Sequence, residues 1–168
     1  MTTATKTRSQ LAKLSRNKGA KSERDLCTWL RPVWPDVDRL VRTGYRTTVR
    51  QRKDNGDITG TPGIIWSVKD CERHYIAQWW AELLEMKHET PLPETQTPIR
   101  LLVVKNAGHA SPGEWWCWMP LYQLVTISTG LSLAIPEPGG DDLVRCRLDT
   151  AVTRLRIFGY GLPLEPAA

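Results

Sequence analysis

The chain has 168 residues, 40% of them hydrophobic and 24% charged, which is one domain's length and enough to bury a core without disulfides or metals. That balance excludes a collagen-like, mucin-like or wholly disordered chain. Charge is unevenly placed: residues 1–60 hold 14 Lys+Arg against 6 Asp+Glu, residues 61–168 hold 9 against 12, and the net is +5, so a polyanion partner is expected for the first part.

Residues 1–16 are polar and basic, without the apolar segment of a secretory signal, and are expected to form a flexible basic arm. From about Lys18 to Arg31, Ala20, Glu23, Leu26, Cys27 and Leu30 recur at helical spacing, and Pro32 and Pro35 stop the helix. VDRLV (37–41) reads as a strand. RTGYRTTVRQRKDNG (42–56) reads as a basic loop carrying Arg42, Arg46, Arg50, Arg52 and Lys53. DITG (57–60) and GIIWSVK (63–69) read as two strands of a hairpin across Thr61-Pro62-Gly63. HYIAQWWAELLEMKHE (74–89) is an amphipathic helix and TPLPETQTP (90–98) a loop. IRLLVVKN (99–106) and GEWWCWMP (113–120) are strands; LYQLVTIST (121–129) is a short helix or strand. Residues 136–140 look like a linker, and LVRCRL (143–148) with TRLRIFGY (153–160) suggests a terminal hairpin. The expected divisions are an arm at 1–16, a domain at 17–135 and a C-terminal extension at 136–168. The class is α/β, with a central mixed β-sheet flanked by helices.

Chemistry concentrates between Asp57 and Lys69. Side chains alternate along a strand, so Ile65, Ser67 and Lys69 share one face. A hairpin would set the Asp57 carboxylate near the Ser67 hydroxyl and the Lys69 ammonium. That set suits phosphodiester hydrolysis: a carboxylate holds Mg²⁺, and an ammonium steadies developing charge. The alternative is a turn residue at Asp57 and a solvated Lys69. Glu23 lies on the apolar stripe of the first helix, where a carboxylate needs a partner or a metal. Arg16, Lys18 and Lys21 on that helix, with the five cations of the basic loop, are candidates for holding DNA phosphates. The three histidines have no ligand spacing. The four cysteines form no CxxC pair and fit free thiols in a reducing cytoplasm. No run of 18 apolar residues is present, so no membrane partner is expected.

Asn17-Lys18-Gly19-Ala20-Lys21-Ser22-Glu23-Arg24-Asp25-Leu26 resembles the opening helix of archaeal-type Holliday junction resolvases. Asp57 with Ser67-Val68-Lys69 is similar to the core of the PD-(D/E)xK nucleases that include them. Small actinobacteriophage resolvases carry a similar hairpin, Trp-containing helix and aromatic strand ending in Met-Pro, here Met119-Pro120. The resemblance covers roughly residues 17–125. It implies a restriction-endonuclease-like core and a Mg²⁺-dependent (or Mn²⁺-dependent) endonuclease of branched DNA. It also implies a homodimer in the cytoplasm, the host's if phage-encoded. Glu23 and Asp57 would be metal ligands and Lys69 the catalytic lysine. Ser67 departs from the family, which has Glu or Asp there. Related restriction enzymes with S-x-K draw the missing carboxylate from the next helix, and Glu82, with twelve residues between it and Lys69, matches that spacing. The alternatives are a restriction- or repair-like nuclease on the same core, and a non-catalytic DNA-binding protein that has lost the metal site at Ser67.

Overall fold

A computed structural model describes residues 7–40, 56–86, 98–129 and 142–163. Helix α1 spans Arg8–Leu30 and begins well before the expected start near Lys18. Thr7 and Gln10 close a reciprocal capping box: the Thr7 hydroxyl accepts the Gln10 N–H, and the Gln10 side chain accepts the Thr7 N–H. Residues 8–16 therefore extend the helix instead of forming part of an arm. They are mostly good helix formers without an apolar stripe, so periodicity alone does not reveal them. Pro32, lacking an N–H, follows the C-terminus.

The strands β1 (Asp38–Arg39) and β2 (Ile58–Thr59) pair antiparallel as a two-stranded sheet. β3 (Ile64–Lys69) belongs to a second sheet, of order β3-β4-β5-β6, with β4 (Ile99–Val104), β5 (Trp116–Pro120) and β6 (Leu143–Arg147). β3 and β4 are parallel, joined through helix α2 (Ile76–Glu85); the remaining pairs are antiparallel. The expected hairpin of 57–60 with 63–69 is thus corrected: β2 ladders with β1, not with β3. Gly60 explains the path. It has φ +76°, and a Cβ there would lie 2.0 Å from the Asp36 carbonyl oxygen, so only glycine lets β2 lie against the chain entering β1.

Residues 121–129 resolve to helix α3 (Leu121–Thr129). The expected terminal hairpin is also corrected. Residues 143–147 are β6, at the edge of the main sheet, and α4 (Leu148–Ile157) is a helix. Alternation across Arg154, Leu155 and Arg156 imitates a strand. Leu148, Ala151, Val152 and Leu155, however, follow helical spacing, and all four are buried. The basic loop at 42–55, most of the proline-rich loop and the linker lie outside the described residues.

The four-stranded sheet separates two apolar layers. On one side Ile64, Trp66, Val68, Leu101, Val103, Cys117 and Met119 pack with α1, α3 and α4. On the other, Ile65, Leu102 and Val104 pack under Trp79, Trp80, Leu83 and Met86 at α2. No helix among the described residues is long and apolar enough to cross a membrane. Because Leu155 is fully buried, Leu155→Ala should cost about 2–5 kcal/mol in urea unfolding. A loss near zero would contradict a core role for α4.

Candidate functional site

The site forms where β3 leaves the sheet. Gly56 (φ +92°) is buried, and a Cβ there would sit 2.7 Å from the Trp66 carbonyl oxygen. Glycine therefore lets the chain meet the open edge of β3 and delivers Asp57 there. The Asp57 N–H donates to the Trp66 carbonyl at 2.9 Å, and the Asp57 carboxylate accepts the Val68 N–H at 2.7 Å. Asp57 is thus held at backbone level, one residue from Lys69.

Lys69 projects toward α2. Its ammonium lies 3.5 Å from the Glu82 carboxylate, whose other oxygen accepts from the Gln78 amide at 3.1 Å. It also stands 5.9 Å from the centre of the Trp79 ring. The spacing from Lys69 to Glu82 therefore corresponds to a contact. Ser67, on the same strand face as Lys69, is wholly buried, and its hydroxyl has no hydrogen-bond partner. The Ser67 side chain is closed to solvent, so its hydroxyl is not presented at the surface beside Lys69.

Glu23 is not a lone buried carboxylate. It pairs with the guanidinium of Arg39 on β1, an ion pair that ties α1 to the small sheet. Among the described residues no three Asp, Glu, His or Cys side chains converge to hold a metal ion, so Glu23, Asp57 and Glu82 do not form a preassembled cage. Magnesium needs less than that. It commonly takes one or two carboxylates and completes its shell from water and phosphate. Asp57 fits that demand as the carboxylate on the strand edge, and Glu82 is the carboxylate beside Lys69.

Asp70 is the residue that the sequence reading missed. Its carboxylate accepts the Ser22 hydroxyl at 2.6 Å and lies 3.0 Å from the Lys18 ammonium and 3.7 Å from that of Lys105. Burial alone would raise its pKa. The hydrogen bonds from Ser22 and Lys18, with the charges of Lys18 and Lys105, outweigh burial and hold it below its ordinary value. The Asp70 hydrogen bond in turn raises Lys18. The available signal was strand parity: Trp66, Val68 and Asp70 share the face that α1 covers. Arg16, Lys18 and Lys21 are all exposed on this helix, and Lys18 pairs with Asp70. Arg42, Arg46, Arg50, Arg52 and Lys53 lie outside the described residues.

No family model matches this chain, and no curated protein or solved structure matches it. What the site can do follows from its own side chains: a fixed carboxylate, an adjacent ammonium with a second carboxylate, and further cations at the end of a parallel strand pair.

A carboxyl group held below its ordinary pKa stabilises the fold above its unfolded value, and that stability is lost as pH falls through the folded value. Asp70→Asn should therefore cost about 1–3 kcal/mol at pH 7, and the gap to wild type should narrow below about pH 4. Unfolding curves at both pH values check this; an equal gap at both would contradict it.

Proposed function

We propose that this protein is a magnesium-dependent DNA endonuclease with a PD-(D/E)xK-type core, acting on branched DNA such as Holliday junctions, with two copies serving the two strands. The observation that carries the proposal is the placement of Asp57. Its carboxylate rests on the Val68 N–H, immediately before Lys69. A carboxylate able to hold a divalent ion, with an ammonium nearby to face developing negative charge, suits metal-assisted phosphodiester hydrolysis. The element order α1-β1-β2-β3-α2-β4, with β3 and β4 parallel, supports the same reading.

In this reading a bound magnesium ion would polarise the scissile phosphate and lower the pKa of an attacking water. Asp57 would hold the ion with Glu82. Lys69, oriented by Glu82, would face the charge that develops on phosphate oxygen. Glu23 would act by fixing Arg39 and α1 beside the site. The exposed Arg16 and Lys21 would bind flanking phosphates, together with the cations of the basic loop.

Ser67 favours a second reading. A buried, unpartnered hydroxyl stands where a metal-binding carboxylate would be expected, which suits a DNA-binding protein that no longer cuts. A panel of linear, flapped and four-way DNA, with and without Mg²⁺, separates the two. The nuclease reading expects Mg²⁺-dependent cuts, strongest on branched DNA. Asp57→Asn should lower the rate by about 10²–10³ or more, with DNA binding retained because an amide oxygen can still accept the Val68 N–H. Glu82→Gln should lose activity comparably, whereas Glu85→Gln should not. Binding without cleavage under every condition would establish the second reading. Undiminished cutting by Asp57→Asn would refute the site.

A further inference from the structure

We infer that Tyr75 is a stacking shelf for an unpaired nucleobase next to the reactive centre, so that the preferred substrate offers an unstacked base within a few nucleotides of the cut. The inference rests on the nuclease reading for its meaning but not for its test.

Tyr75 precedes the first turn of α2 and is 53% exposed, unusually open for a large aromatic side chain. Its ring meets Trp79 at 6.0 Å between centres, with an interplanar angle of 80°. Perpendicular packing leaves at least one face of the tyrosine ring clear of Trp79, whichever ring supplies the edge. Trp79 itself is buried in the α2 layer, so the shelf stands on a fixed base. Its backbone N–H also donates to the Tyr75 carbonyl at 2.9 Å, which holds the segment in place.

The shelf lies close to the proposed chemistry. The Lys69 ammonium and the Tyr75 ring are each about 6 Å from the Trp79 ring centre (5.9 and 6.0 Å), so at most about 12 Å separates them. At about 3.4 Å of rise per nucleotide, that is within roughly three or four steps along a strand. The surroundings suit the same ligand. Arg73 and His74 are exposed beside Tyr75, and Lys69 lies over the same Trp79 ring that Tyr75 packs against. Cations following a backbone next to an open aromatic face form the arrangement that holds single-stranded nucleic acid without reading its sequence. In continuous duplex the bases are stacked on one another and give the ring nothing to take. A junction, flap or mismatch does.

The test uses DNA carrying 2-aminopurine, whose fluorescence changes when it stacks on an aromatic ring. The full chain is titrated without divalent metal, so that binding is read apart from cutting. The probe sits at the branch of a four-way junction, in a flap, or in a continuous duplex. The expected result is a fluorescence change on the branched and flapped DNA only. Tyr75→Ala should abolish it and weaken binding to these substrates by about tenfold, with little effect on duplex binding. Tyr75→Phe should retain both. A wild-type response from Tyr75→Ala, an equal response in duplex, or no DNA binding by wild type would overturn the inference. Normal cleavage with a Tyr75-independent signal would sink the shelf and leave the nuclease reading intact. A Tyr75-dependent signal from a protein that never cuts would do the reverse.

Discussion

Strand β3 must be buried on both faces, and the rest of the architecture answers that constraint. Ile64, Trp66 and Val68 need an apolar layer on one side, which α1, α4 and the segment around Trp34 provide. Ile65 needs another on the opposite side, which α2 provides. Trp66 shows how complete the enclosure is. Its ring is fully buried, packs edge-on against Trp34 at 6.2 Å, and its indole N–H donates to the Thr61 hydroxyl at 2.9 Å. At roughly 25 cal/mol per Å² of buried apolar surface, a strand covered on both faces contributes strongly to the core. It also tolerates charged side chains only at its ends.

The polar groups accordingly gather where β3 leaves that enclosure, and alternation sorts them. Lys69 emerges toward α2 and meets Glu82; Asp70 emerges toward α1 and meets Ser22 and Lys18, with Lys105 coming from the end of the parallel neighbour. Asp57 approaches along the open edge, where Gly56 removes the Cβ that would collide with Trp66. Lys69 and Asp70 leave the strand itself, and their partners arrive from α1, α2 and the end of β4. Their positions relative to one another are therefore set by core packing, without a loop devoted to the purpose. Sites supported on rigid elements hold their geometry better than sites on loops.

Much of this was legible in the sequence because its signals are local. Helical spacing found the second half of α1 and all of α2. Continuous apolar runs found β3 and β4, and the twelve-residue interval from Lys69 to Glu82 corresponds to a real contact. Five features were not legible. The first half of α1 has helix formers and a capping box but no apolar stripe. The pairing of β2 with β1 depends on a close approach at Gly60 that composition cannot show. The helical nature of α4 was hidden by a run of alternating Arg and aliphatic residues. The Asp70 cluster joins residues from α1 and from just beyond the ends of β3 and β4, and only the folded chain brings Lys18 and Lys105 to the same carboxylate. The Arg39 partner of Glu23 is likewise long-range: the stripe told that a partner was needed, not which.

The central claim is that the edge of β3 at Asp57 is where a divalent ion acts. A titration with paramagnetic Mn²⁺, followed by amide NMR signals, tests it most directly, since broadening falls off steeply with distance from the bound ion. The account predicts that the signals of Asp57, Val68 and Lys69 broaden first, and that Asp57→Asn removes the effect while the rest of the spectrum is preserved. Broadening centred elsewhere, or unchanged by Asp57→Asn, would contradict it.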